Sequence, residues 1–387
     1  MKIKRVEVIP VTVPYRFPIV HSFGGRTSGN YLIVRITSDE GFYGVGCSAV
    51  LFPLHSGEST DSAMTNISYV APLALIDADP FDIENIMYRI DKLLYGNWLS
   101  KAPIDFALHD LKGKALDIPV YQLLGGLCRE KVPMEFIVGL DTPEKMAEKA
   151  KEYKGAGFHG VKIKSGGDPK LDLERFERVR GAVGEDYRMN VDMNECYDNP
   201  STAIKVIRGM IDMGVTFVEQ PVSRRNLDGL RFIKERVDIP LAVDEGAWSL
   251  NEASDVINRQ AADIFHTVPS RVGGFTKTLK YRALIEANGL QTCVSAYNGP
   301  GLEHAASAHF IAATNKDPGF PEEPVGVLYL YGGHSTDGIS GDIIKKISGR
   351  IKDGYIYKPE GPGLGVELDE EMVNKYITSG KSPVVIE

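Results

Sequence analysis

Gly160-Val161-Lys162-Ile163-Lys164-Ser165 is the stretch whose reading decides the fold of this chain. Two lysines stand two residues apart in an apolar run, and alternate side chains of a strand share a face. Lys162 and Lys164 are therefore expected to point the same way. Two ammonium groups held together disfavour each other's charge, and partial burial pushes in the same direction. An amine so placed is basic enough to remove a proton and neutral often enough to attempt it near neutral pH. By itself the pair reads more simply as two solvated lysines on an edge strand; the segments around it reverse that.

Working outward, segments 134–139, 160–164, 189–192, 217–219, 241–244, 264–268 and 290–295 read as strands, each followed by a helical pattern. A repeat of roughly 30 residues per unit predicts a parallel (β/α) barrel rather than an open sheet. No glycine fingerprint for dinucleotides opens any of these helices, which argues against a doubly wound nucleotide binder. Segment 325–330 is expected to be the last barrel strand, with 350–357 and 363–368 returning to pack on the N-terminal unit. That unit reads as a meander of strands at 4–13, 31–36 and 42–47, then helices at 59–75, 82–94 and 104–116. Two loops, 22–30 and 48–59, are expected to be flexible. The domains are thus expected at 1–126 (α+β cap), 127–348 (barrel) and 349–387 (C-terminal segment returning to the cap).

A length of 387 residues suits a barrel with a smaller partner. The net charge of −8 and the dispersed lysines and arginines argue against nucleic acid as a partner. No apolar run is long enough to span a membrane, and the first residues do not read as a signal peptide. Cys47, Cys128, Cys196 and Cys293 lack metal-type or disulfide-framework spacing, so free thiols in a reducing cytoplasm are expected.

Three expected strands end on a carboxylate: Val191-Asp192-Met193-Asn194, Val218-Glu219-Gln220-Pro221 and Val243-Asp244-Glu245-Gly246. The C-terminal ends of barrel strands meet at one mouth. Asp192, Glu219 and Asp244 gathered there would raise one another's pKa unless a cation sat among them. Oxygen-only ligands favour a hard divalent ion, Mg²⁺ or alternatively Mn²⁺.

Lys162-x-Lys164, Asp192-x-Asn194, Glu219-Gln220-Pro221 and Asp244-Glu245, with 302–309 after the seventh strand, resemble the signature of the enolase superfamily, muconate-lactonizing subgroup, over nearly the whole chain. The resemblance implies a (β/α)₇β modified TIM barrel with an α+β capping domain built from both termini. It implies Mg²⁺ on Asp192, Glu219 and Asp244, with Asn194 and Glu245 supporting them. It further implies Lys164 as the acid/base tuned by Lys162, a small carboxylic-acid substrate, and a homo-oligomer. In such chemistry the base removes a proton α to a carboxylate, and the ion stabilises the second negative charge that develops on the carboxylate oxygens.

The chain departs from that pattern at one place. Subgroup members usually end the sixth strand in a second lysine, five residues after an Asp and ahead of a Gly-Gly pair. Counting from Asp263 toward Gly273-Gly274, the position falls on Val268. The Asp–His pair of mandelate-racemase-type relatives is missing as well, and His266 reads as a hydrogen-bonded core residue. A two-base racemase or epimerase is therefore disfavoured. The expectation is a one-base lyase, such as a dehydratase acting by syn elimination on a 3-hydroxyproline-like acid. A muconate-type cycloisomerase is the alternative, followed by a racemase or epimerase and by a non-catalytic metal-binding barrel. Thr267, Ser270, Ser295 or Tyr297 could supply a weak acid on the second face. Phe23, Leu51, Phe52, His55, Thr267, Val268, Ser295 and Tyr297 are expected to line the substrate site. Glu322 and Glu323 are expected either to meet a substrate amine or to be solvated.

Overall fold

A computed structural model describes residues 1–21, 24–50, 56–295, 298–314, 319 and 321–387. The N-terminal strands β1 (Ile3–His21), β2 (Gly24–Ser38) and β3 (Tyr43–Ala49) form an antiparallel sheet, which the C-terminal strand β14 (Val384–Ile386) joins beside β1. Side-chain alternation makes this sheet apolar on both faces. Val6, Val8, Leu32 and Val34 pack on the cap's own helices. Val11, Val13, Tyr31 and Ile33 face the barrel core.

The loop expected over 22–30 is instead strand from Gly24 onward, because β1 and β2 continue as one long hairpin, pairing Val13 with Gly29 and His21 with Gly24. The third long cap helix also begins earlier than expected, spanning Trp98–Ala115. Pro103 suggests a helix start, since it has no N–H to give the carbonyl four residues back. Here that carbonyl, on Leu99, accepts instead from Ser48 Oγ at 2.6 Å. The helix is thereby able to run through the proline.

The barrel sheet runs in the order β11-β10-β9-β8-β7-β6-β5, all parallel. Its strands are β5 (Glu135–Val138), β6 (Gly160–Lys164), β7 (Arg188–Asp192), β8 (Val218–Glu219), β9 (Leu241–Val243), β10 (Ile264–Thr267) and β11 (Gln291–Val294). The segment expected to supply the last strand is a short helix, Gly326–Tyr331. Closure comes a few residues earlier. Glu322 bridges in parallel to Met134, and Glu323 N–H donates to the Val294 carbonyl at 3.0 Å. One or two residues thus do the work of an eighth strand, which is too short to leave a strand-length pattern in sequence.

The C-terminal hairpin, β12 (Ile351–Lys352) and β13 (Tyr355–Tyr357), pairs with β4 (Lys131–Pro133) at the foot of the barrel, not with the N-terminal sheet. Beyond it the chain docks on the cap, where Leu364 N–H donates to buried Asp110 at 2.7 Å. Cap and barrel are further tied by Asp105, whose Oδ1 accepts from Phe275 N–H at 2.6 Å, at the start of the helix after Gly273-Gly274. Gly274 has φ +103°, and a Cβ there would lie 2.4 Å from that of Asp105. Only glycine allows this approach.

Candidate active site

The parallel register turns sequence spacing into convergence. Lys164 pairs with Asp192, and Asp192 with Glu219, across β6, β7 and β8. Glu219 pairs with Ala242, so Asp244, two residues further, shares the inward face. His266 and Val268 follow the same parity on and just beyond β10.

Lys162 is wholly buried, and its Nζ lies 2.8 Å from Glu219 Oε2 and 2.7 Å from Glu323 Oε1. Burial works against its charged form, but Glu219, Glu323 and Asp192 outweigh burial and raise the ammonium well above the ordinary lysine range. This corrects the expectation that crowding by a second lysine would favour neutrality at this position. Carboxylates, invisible to the Lys-x-Lys spacing, surround the amine. Glu323 is correspondingly neither solvated nor free. Burial opposes its ionisation, but Lys162 and His266 pull its carboxyl down to about 2. His266 Nδ1 lies 2.8 Å from Glu323 Oε1, in keeping with a core role. Burial disfavours its charged form, yet Glu219 leads the neighbours that raise it to about 9.

Lys164 ends β6 nearer the mouth, with its side chain 11% exposed and its ammonium donating to Asp192 Oδ2. Asp192 Oδ1 accepts from Asn194 N–H at 2.8 Å. Burial resists the Asp192 charge, but Lys164 and Lys162 overcome it and hold the carboxyl below the usual range. Asn194 Nδ2 in turn donates to Glu245 Oε1 at 3.0 Å, which links the two strand ends.

Asp244 meets Arg271, which sequence reasoning passed over. Arg271 Nη1 donates to Asp244 Oδ2 at 2.9 Å, and Nη2 lies 2.7 Å from Oδ1. The guanidinium stands 5.0 Å from the centre of the Trp248 ring, and Trp248 Nε1 donates to Asp244 Oδ1 at 3.4 Å. Gln220 was also missed as a positioning residue. Its Oε1 accepts from Asp244 N–H and Gly246 N–H, each at 3.1 Å, while its own backbone sits at φ +40°. An amide directly after the strand-end Glu219 is the signal that could have found it.

The residues suit a hard cation in donor chemistry. Glu219 Oε1 is buried without a hydrogen-bond partner. Burial, then the neighbouring Asp192, push Glu219 up to about 8, and burial with Asp244 and Asp192 does the same to Glu245. Such shifts mark a site with more carboxylate than cation. Among the described residues, the group with all ligand atoms within 4.8 Å of one another is His266, Cys293 and Glu323. Asp192, Glu219 and Asp244 do not form such a group; each is held by a cation, Lys164, Lys162 and Arg271 respectively. Asp192, Glu219 and Asp244 are the strand-end carboxylates that could hold the ion, Glu219 through its unpartnered Oε1.

Opposite Lys164, Val268 is buried and apolar, as the sequence indicated. β6 and β10 are the second and sixth strands of the barrel, on opposite walls. Thr267 points away from the interior by alternation, and its hydroxyl donates to the Phe265 carbonyl at 3.3 Å, so it does not line the mouth as expected. Ser295 follows β11 and is buried, its N–H bonded to the Thr267 carbonyl at 3.1 Å. Ser270 Oγ donates to buried Glu303. Glu322 pairs with Arg129 at 2.9 Å, away from the mouth. Phe23, Leu51, Phe52, His55 and Tyr297 lie outside the described residues. All four cysteines are free, and among the described residues no helix is long and apolar enough to cross a membrane.

A parallel barrel under an α+β cap, with strand-end carboxylates beside an inward lysine pair, defines an enzyme class built for proton transfer next to a carboxylate. Residues 3–125 match the mandelate racemase/muconate lactonizing enzyme N-terminal domain, and residues 145–372 match the enolase C-terminal domain-like family. The chain belongs to the mandelate racemase/muconate lactonizing enzyme family of the enolase superfamily. It is 31% identical to an N-succinyl-L-Arg/Lys racemase of Bacillus cereus, over 97% of this chain and 98% of that protein. It is 32% identical to the chloromuconate cycloisomerase CbnB of Cupriavidus necator, over 97% and 99%. A dipeptide epimerase of Enterococcus faecalis, solved with Mg and L-Leu-L-Tyr, superposes with a TM-score of 0.86 at 28% identity, over 95% and 100%.

Proposed function

We propose that this enzyme transfers a proton at the α-carbon of a small carboxylic acid from one face only, with Lys164 as the acid/base and Mg²⁺ on Asp192, Glu219 and Asp244. The single observation that carries this is the pairing of Lys164 at the mouth with buried Val268 on the opposite wall. A bound Mg²⁺ would stabilise the second negative charge on the substrate carboxylate when the α-carbon carries the electron pair. Lys162 stays charged and adds to the positive field behind that carboxylate. Asp192 orients the Lys164 amine, and Gln220 keeps the Asp244 strand end in place.

One amine suffices for cycloisomerisation. A carboxylate oxygen of an unsaturated diacid adds to its own double bond, and the pair of electrons moves to the α-carbon. The Lys164 ammonium then delivers a proton there. Cycloisomerases stand among the relatives beside racemases and epimerases, and the apolar Val268 favours the one-amine outcome. Syn β-elimination from a hydroxy or imino acid is the second reading, because Lys164 could take the α-proton and return it to the departing hydroxyl on the same face. Racemisation needs a proton on the other face, where Val268 has none to offer. We place the enzyme in the cytoplasm as a homo-oligomer, to be checked by size-exclusion chromatography with light scattering.

The test is incubation of muconates, 3-hydroxyprolines, N-acyl amino acids and dipeptides with the enzyme and Mg²⁺ in D₂O, followed by NMR. A lactone carrying α-deuterium of one configuration, or an enamine with its keto acid, supports the one-face reading. Equilibration of both configurations overturns it.

A further inference from the structure

We propose that Arg271 is a built-in counter-ion at the metal site, and that loading the ion requires Arg271 to give up at least one oxygen of Asp244. This rests on Asp244 being a metal ligand. Both Asp244 oxygens lie against one guanidinium: Nη1 donates to Oδ2 at 2.9 Å, and Nη2 forms an ion pair with Oδ1 at 2.7 Å. Arg271 is only 3% exposed, so water does not stand in for either partner. Its position is set by a short helix, Pro269–Val272, directly after β10, and by the Trp248 ring beneath it.

A buried Asp beside Glu219 and Glu245 would be costly without a cation. The arginine supplies that charge when no ion is present. A divalent ion on either Asp244 oxygen would stand within a few ångström of the guanidinium, and the two like charges would repel one another. The two cations are therefore alternatives at Asp244, and the affinity measured for the ion is what remains after the guanidinium is displaced. The freed guanidinium stays at the mouth, on the sixth-strand side, where a substrate carboxylate would meet it.

The experiment is calorimetric titration of MgCl₂ into the metal-free protein, into Arg271→Lys and into Arg271→Met, with thermal melts in EDTA. Arg271→Met keeps bulk on Trp248 but no charge; Arg271→Lys keeps the charge but not the two-nitrogen contact. Both variants are expected to melt lower in EDTA and to bind Mg²⁺ more tightly, Arg271→Met by roughly tenfold and Arg271→Lys by less, the return of one charge-assisted hydrogen bond no longer broken. In a Trp98→Phe background, Mg²⁺ is expected to change Trp248 emission when Arg271 is present and not in Arg271→Met. Equal or weaker Mg²⁺ binding in both variants overturns the inference, since Arg271 would then be holding Asp244 in place for the ion. Tightening in Arg271→Met alone also overturns it, because net charge would explain the effect. Should Arg271→Met not fold, Arg271→Lys decides. An unaltered protein that binds no Mg²⁺ overturns the metal reading itself, a result distinct from equal affinities across the series.

Discussion

Lys162 and Glu323 stand 161 positions apart and meet at 2.7 Å in the barrel interior. That contact is one of those by which an ammonium survives there. Its burial costs several kcal/mol, and the matching carboxylates of Glu323 and Glu219 offset it. Lys162→Met should therefore destabilise the metal-free protein by about 3–5 kcal/mol, because it leaves two buried carboxylates without their cation. Adding Glu323→Gln should recover part of that loss. Urea unfolding of both single variants and the double variant measures the coupling; additive losses would refute it.

Lys164→Ala should lower α-deuterium exchange by about 10³-fold, the scale of a lost general base. Lys164 also competes for Asp192, so Mg²⁺ should bind the variant no more weakly than the unaltered protein. Exchange in D₂O and calorimetry read the two effects separately. Retained exchange would remove Lys164 from the mechanism.

Mg²⁺ should stabilise the fold by mass action, by about 2.7 kcal/mol when its concentration is 100-fold above Kd. Glu219→Gln should abolish most of that gain, since it replaces the buried, unpartnered Oε1 and its charge. Melts with and without EDTA check this. A full Mg²⁺ response in Glu219→Gln would place the ion elsewhere.

Acid should weaken the fold through His309. Its ring is buried, accepts from Tyr121 N–H at 3.1 Å, and is pushed by burial down to about 3. The unfolded chain takes up a proton near the ordinary histidine value, while the folded chain does not. Stability from this group is thus complete above about pH 6.5 and falls by about 1.4 kcal/mol per unit as the pH drops toward 3. His309→Asn keeps an acceptor and cannot protonate. Its unfolding free energy should fall less steeply between pH 6.5 and 5 than that of the unaltered protein, by close to one proton. Equal slopes would exclude His309 as the titrating group.

The sequence alone determined the barrel, because strand and helix periods alternate for seven units and need only local patterning to be read. It determined the inward lysine pair and the strand-end positions of Asp192, Glu219 and Asp244, because alternation and strand termination are local rules. It also placed Val268 where the resemblance to the family leads one to expect a second lysine. The tertiary structure decided the charge state of Lys162, because Glu219 and Glu323 reach it across 57 and 161 positions and no spacing rule pairs them. It decided that Glu322 and Glu323 close the barrel, since one or two residues carry no period. It decided that Arg271 holds Asp244, because a long side chain finds its partner through space, in a site where burial makes every charge depend on the nearest opposite one.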